Sequence, residues 1–340
     1  MVSLVNKSAL YSSLIVLLFA SMGLGLGLGA VEVSLGDLLA ALSGNGGSTK
    51  EALIINQIRL PRVILAALIG SILAASGAAM QGLFRNPLAD PSLIGVTAGA
   101  SLGASLAIVA GAGFGAGLAG LSLTSLGAFL GGLVSVLFVY RLASSESGTS
   151  VATMLLAGIA ITALAGSLTN LLEFHADNHS LRRISLWRMG GLDGANFTRV
   201  HIALLTTVTL AVFLPRYSNA LNALLLGESE ARHLGIEVEK VKKVLVVLTA
   251  LAVGVSVALA GTIAFVGLIV PHMMRMLAGP NHRHLLPLSA LAGAILLVLA
   301  DAISRTIIAP TELPIGVVTA LLGVPFFISL LRQRRQFGMQ

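Results

Sequence analysis

The chain of 340 residues contains no cysteine, a single tryptophan and three tyrosines. The missing thiol removes disulfides, thiolate metal sites and cysteine nucleophiles together. Charge is nearly as scarce: 21 Lys and Arg with 14 Asp and Glu make up 10% of the residues, against 56% apolar residues and a mean hydropathy of +0.95. So little polar surface cannot cover a water-soluble globule of this mass, and a large soluble domain is excluded. The net charge of +7 does not point to nucleic acid, because the Lys and Arg sit in loops rather than along one soluble face.

Motifs for energy and chemistry are missing as well. No G-x-x-x-x-G-K-[ST] phosphate loop occurs, and GNGGSTK at Gly44–Lys50 has the wrong spacing and reads as a flexible loop. There is no H-E-x-x-H, and the seven His lie in or beside loops. His175 and His179, four apart, could share a helix face toward a metal or haem iron; with no third ligand near, no metal site is assigned. Asp90, Asp301 and Glu312 fall at span ends or in loops, so no carboxylate at mid-membrane depth is available to carry a coupling proton. An ion-coupled secondary transporter and an intramembrane enzyme therefore both lack their required residues.

The chain is built from long uncharged runs: Ser8 to Val31, Val63 to Phe84, Pro91 to Tyr140, Ser147 to Leu172, Val200 to Pro215, Val244 to Met274, His284 to Ala300 and Leu313 to Leu331. A bilayer core about 30 Å thick takes roughly 20 residues per helix, so the runs of 50 and 31 residues each hold two passes. The expectation is an all-α polytopic membrane protein, one domain over 1–340. Its ten spans fall near 10–31, 63–84, 92–110, 118–140, 152–172, 199–215, 244–262, 263–276, 285–303 and 313–331, the eighth short enough to be a half-helix. The third and fourth are divided at the glycine-rich stretch Gly111–Gly117. The uncharged run after Lys7 is too long for a cleavable signal, so the first span is expected to be retained. Ten passes put both termini on one side, with 13 of the 21 Lys and Arg, which makes that side cytoplasmic by the positive-inside rule.

Two loops carry more than connection. Residues 216–243 mix charge with helix-forming residues and are far too polar to cross the membrane, as expected of a surface that touches a soluble partner. Residues 173–198 place Leu181, Ile184, Leu186, Trp187 and Met189 beside Arg182, Arg183 and Arg188, which predicts a short interfacial helix. In the fifth span Gly158, Thr162, Gly166, Thr169 and Asn170 follow helical spacing as one small, partly polar stripe. Close helix packing and lining of a translocation path both predict it. Gly77 to Pro87 and Gly261 to Pro271 share a glycine, nine residues and a proline, which chance or an inverted repeat explains equally.

The segment RLPRVILAALIGSILAASGAAMQGLFRNPLADPSLIGVTAGASLG at 59–103 resembles the FecCD family of permease subunits, which serve ABC importers of iron siderophores, haem and vitamin B12. The resemblance resumes at LLAGIAI (155–161), LLLGESEARHLGI (224–236), ALAGTIAFVGLIVPHMMRM (258–276) and LADAISRTIIAPTELPIGVVTALLGVPFF (299–327). It implies the permease fold of the vitamin B12 importers and a homodimer in a bacterial cytoplasmic membrane. It also implies two cytoplasmic ATPase subunits, where ATP and Mg act, with no cofactor on this chain, and an extracytoplasmic substrate-binding protein. By the same resemblance Gly227, Glu228, Ala231, Leu234 and Gly235 couple to the ATPase, and Arg59, Arg62 and Arg305 dock the binding protein as exposed arginines. The inner gate falls near Thr149, Ser150, Val151 and Ala152, where the vitamin B12 permeases carry small hydroxyl residues, so Val151 and Ala152 weigh against cobalamin. Haem is the expected cargo, with Arg182 and Arg183 meeting its propionates; a ferric siderophore or vitamin B12 is the alternative.

Overall fold

The computed structural model describes residues 6–29, 31, 33–43, 49–111, 122–146 and 148–336. The first helix, α1 (Lys7–Gly27), starts where the Asn6 side chain accepts the Ser8 amide, and it precedes the short α2 (Leu35–Leu42). A single turn, α3 (Lys50–Leu53), runs through a π-helical stretch at Ile54–Arg59 into α4 (Leu60–Leu83). Next come α5 (Val96–Ala110) and α6 (Leu123–Ala143), then a two-residue hairpin of β1 (Ser144–Ser145) and β2 (Gly148–Thr149). Beyond it lie α7 (Val151–His175), α8 (Asn178–Arg188), α9 (Phe197–Phe213), α10 (Ser218–Leu224) and α11 (Glu228–His233). The chain closes with α12 (Val238–Ala260), α13 (Val266–Ala278), α14 (His282–Thr306) and α15 (Ile315–Gln336).

Seven helical segments are long and apolar enough to cross a membrane: α1, α3 with α4, α6, α7, α9 with α10, α12 and α14. The shorter apolar helices α5, α13 and α15 make up the ten expected spans. Residues 112–117 of the expected glycine-rich break and 44–48 of the GNGGSTK segment lie outside the described residues. The expected half-helix is α13: at 13 residues it rises only about 20 Å. The irregular backbone before it, 261–264, is tied to its neighbours at three points: Gly261 N–H donates to the Val257 carbonyl, Gly191 N–H to the Ala260 carbonyl, and the Thr262 hydroxyl to the Arg188 carbonyl.

The central element is α4, buried on almost every side between α14, α13, α12 and α9, whereas α1, α7 and α9 present most of their surface outward. Its neighbours come close because glycines face one another. A Cβ on Gly77 would strike the Gly267 carbonyl, and the pairs Gly99 with Gly131 and Gly103 with Gly127 do the same between α5 and α6. Gly77 lies inside continuous helix while Gly261 has φ +68° in the break, so the two glycine-to-proline segments adopt different conformations.

One difference from the hydropathy reading and one agreement are informative. The helix α12 starts at Val238, taking Glu239, Lys242 and Lys243 into its first turns, because Lys242 is buried against carboxylates rather than left in solvent. The expected interfacial helix over 173–198 is α8, capped by Asp177. The Ser180 hydroxyl and amide hold that carboxylate below its usual range.

Candidate functional site: the two ends of the bundle

The end of the bundle at which α1 and α14 start holds the β1–β2 hairpin, α10 and α11. Asn222 fastens α10 to the start of α14, accepting the His282 amide at 2.9 Å and donating to Asn281 Oδ1 at 3.0 Å. Left-handed glycines bracket α11: Gly227 with φ +126° and Gly235 with φ +81°. Between them Ala231 is fully buried and Leu234 is 64% exposed, while Leu226, just before Gly227, is 69% exposed. These two leucines, one in the link between α10 and α11 and one at the end of α11, leave a small apolar surface uncovered. Glu228 is half-buried and faces inward, to Lys242 at 2.7 Å.

Of the expected gate residues, Thr149 is buried, Ser150 and Ala152 are exposed and Val151 is half-buried. Ser150 caps α7 by accepting the Thr153 amide at 3.2 Å. The stripe on α7 divides. Gly158 packs so tightly that a Cβ would strike the Leu93 carbonyl, and Thr169 is buried with its hydroxyl donating to Ala165 at 2.8 Å. Thr162 and Asn170 are exposed, and Gly166 has no neighbour within 4 Å of a built Cβ. Packing and an open surface thus share one helix.

At the opposite end the three arginines gather, and here the expectation of exposed side chains is corrected. Arg59, Arg62 and Arg305 are 4%, 7% and 6% exposed. Arg59 donates to the carbonyls of Leu26, Gly27 and Val31, and Arg305 to those of Gly25 and Leu28. Together they satisfy the last carbonyls of α1, which have no intrahelical partner. Arg62 binds Asp301 at 2.9 Å and Glu312 at 2.8 Å, and Arg305 takes the other Asp301 oxygen at 2.9 Å. Internal acceptors claim all three guanidinium groups because a desolvated charge needs complete pairing.

An open cavity of ≈ 430 Å³ lies beside this cluster, lined by Arg62, Arg183, Arg199, Trp187, Asp193 and Glu312 among others. Arg183 therefore reaches a cavity; Arg182 is exposed and is not part of its wall. His175 Nδ1 lies 3.0 Å from the Leu171 carbonyl, and among the described residues no group of three metal-ligating side chains forms. Sequence reasoning missed Lys242, Arg199 and the Asp301 pairings. The Glu239–Lys242 spacing of three and the Asp301–Arg305 spacing of four were the local signals.

The apolar helical bundle thus carries a buried ion-pair cluster at one end and, at the other, a short helix pair with two exposed leucines. The chain belongs to the FecCD transport family, whose family pattern matches residues 14–333, and it is a multi-span ABC transporter permease. It is 43% identical over 284 residues to the hemin transport system permease protein HmuU of Yersinia pestis, covering 82% of this chain and 84% of that protein. It is 42% identical over 281 residues to the cobalamin import system permease protein BtuC of Halobacterium salinarum, covering 83% and 74%. A vitamin B12 import system permease protein BtuC of Citrobacter koseri is 40% identical over 325 residues, covering 96% and 94%. Among solved structures, an inward-facing metal-chelate type ABC transporter superposes with a TM-score of 0.83 at 31% identity, covering 96% of this chain and 99% of that one.

Proposed function

We propose that the chain is the translocation subunit of a binding-protein-dependent importer that carries haem into the cytoplasm. It works as a homodimer, with two cytoplasmic ATP-hydrolysing subunits and one extracytoplasmic binding protein. The observation that carries the reading is the α10–α11 pair. It is anchored to α14 and α12, and it turns Leu226 and Leu234 outward where a partner can cover them. Gly227 and Gly235 set the ends of α11, Ala231 seats it and Leu234 makes contact. ATP and Mg act on the partner subunits, and no cofactor resides on this chain. Both termini and α11 lie on the cytoplasmic side.

The binding protein sits over the arginine cluster at the other end. Arg59, Arg62 and Arg305 shape that rim from beneath, and Glu312, with its side chain 44% exposed, is the accessible charge. Cargo passes between the two copies, with the exposed Thr162, Gly166 and Asn170 of α7 facing the path while Gly158 and Thr169 hold α7 in place. The gate is the segment Thr149 to Ala152. Haem is favoured by the cavity that joins Arg183 and Arg199 to Trp187, two cations for propionates beside one aromatic face. Cobalamin is the second reading, favoured by relatives of nearly equal identity whose names carry it.

The test is ATP turnover and uptake by the complex of this chain with its ATPase in proteoliposomes, with haem-loaded, cobalamin-loaded, siderophore-loaded and empty binding proteins outside. Uptake of haem that requires ATP supports the reading. Uphill uptake by the purified chain alone would end it.

A further inference from the structure

Thr149 is held at both of its backbone groups by one helix. Its N–H donates to Glu239 Oε2 at 2.7 Å, and its carbonyl accepts from Lys242 Nζ at 2.7 Å. Both side chains belong to the first turns of α12. The hairpin approaches so closely that a Cβ on Gly148, where φ is +118°, would lie 2.9 Å from the Glu239 carboxyl. Only glycine satisfies both that backbone and that space. The Thr149 hydroxyl meets Ser144 Oγ at 3.1 Å, so the hairpin is closed across its two strands. Directly after Thr149 comes Ser150, the cap of α7.

The same lysine reaches the other way. Lys242 Nζ donates to Glu228 Oε2 at 2.7 Å and to Glu239 Oε1 at 3.2 Å, and its side chain is 3% exposed. Glu228 is the first residue of α11, whose Arg232 lies 3.5 Å from Glu239 and 3.9 Å from Glu228. One buried ammonium thus joins three elements: α11, the start of α12 and the peptide that leads into α7. Its three hydrogens have three acceptors, and none is spare.

This arrangement is intolerant of partial loosening. A desolvated ammonium that loses a carboxylate partner is stranded, at a cost far above that of a surface pair. Movement of Glu228 with α11 therefore either carries Lys242 and Thr149 along or releases the group as a whole. Transmission between sites calls for a link that is made or released as a unit, and a fully paired buried ammonium is of that kind.

We propose that Lys242 is the positioning residue that passes movement of α11 to the start of α7. It clamps the Thr149 peptide and makes the opening of the chain between β2 and α7 depend on where α11 sits. The inference rests on the proposed function insofar as α11 is moved by a partner ATPase.

The test uses the full complex in proteoliposomes with Lys242→Met, which keeps the length and removes the charge, and Lys242→Arg as the conservative variant. Lys242→Met is expected to keep loaded-binding-protein-stimulated ATP turnover within about twofold while uptake falls roughly tenfold, the scale of a single coupling link. Lys242→Arg is expected to restore most of the uptake. Equal loss of turnover and uptake, or no loss of either, overturns the proposal.

A second readout needs no transport. Because the chain has no cysteine, spin labels on Glu146→Cys and Glu230→Cys report the distance from hairpin to α11. Lys242→Met is expected to broaden or shift that distribution in the folded chain, and an unchanged distribution overturns the proposal. If the wild-type complex shows no ATP-driven uptake, the proposed function fails on its own, and the label distances still decide the role of Lys242.

Discussion

Gly70 on α4 and Gly293 on α14 oppose each other reciprocally: a Cβ built on either would penetrate the carbonyl oxygen of the other. The two backbones meet with no side chain between them, which lets two helices buried on most sides pack without bulk. Dispersion between surfaces in such contact replaces the hydrophobic drive that lipid cannot supply.

Substituting either residue therefore acts on backbone, not on a side chain that can swing away. Gly293→Val is expected to lower stability by about 3 kcal/mol or more, the upper part of the overpacking range. Gly166→Ala, with open space around it, is expected to be neutral or slightly stabilising by roughly 0.5–1 kcal/mol, as alanine outranks glycine in a helix. Thermal unfolding of the two variants in detergent separates them. If Gly166→Ala keeps its stability and loses uptake, its open face belongs to the path.

The arginine cluster makes a second contrast. Asp301 is 1% exposed and serves two guanidinium groups, so Asp301→Asn leaves Arg62 and Arg305 short of charge in a desolvated site. A loss of about 3–5 kcal/mol is expected for breaking such a buried pair. Glu312 is far more exposed, and Glu312→Gln is expected to cost roughly 1 kcal/mol or less. Equal effects on unfolding would show that Asp301 is not the centre of the cluster.

On α8 the Asp177 side chain accepts the Ser180 amide at 2.9 Å at the helix start. Asp177→Ala is expected to weaken this short helix by about 1 kcal/mol, the usual worth of such a cap. Hydrogen exchange should speed up across Asn178–Arg188 and nowhere else.

The exposed leucines of the α10–α11 pair test the partner surface. Leu226→Ser with Leu234→Ser is expected to leave unfolding within about 0.5 kcal/mol of wild type, as exposed positions do. Co-purification of the ATPase subunits should be lost. Unchanged co-purification would move the docking surface elsewhere.

What the sequence made legible followed from local pattern. The ten spans were legible because apolar runs and their lengths are properties of neighbours in the chain. The helix pair within 216–243 was legible because its charge forbids a bilayer. The arginines were misread because most of their acceptors lie far off in sequence: Arg62 meets residues 239 and 250 positions away, and Arg305 meets carbonyls 277 and 280 positions away besides its neighbour Asp301. A guanidinium at a span end reads as exposed until its carboxylates are placed. Lys242 was hidden for the same reason, since a lysine near a helix start reads as solvent-facing unless Glu228 and the Thr149 carbonyl are brought beside it. The stripe on α7 was visible as a period, but periodicity could not tell that Gly158 meets Leu93 while Gly166 meets nothing.

The cargo assignment turns on two adjacent arginines that the structure separates. Arg183 lines the cavity with Trp187, Arg199 and Arg62, whereas Arg182 is exposed on α8 outside that wall. A propionate bound in the cavity would gain a charge-assisted hydrogen bond from Arg183 and none from Arg182. Arg183→Gln is accordingly expected to slow haem uptake roughly tenfold or more, the size of a hydrogen bond to a charged group. Arg182→Gln should change it less than about twofold, since Arg182 lies outside the cavity wall. A cargo without carboxylates should be indifferent to both. Haem uptake that survives Arg183→Gln unchanged would sever the propionate contact from this cavity, and with it the physical argument that favours haem over cobalamin.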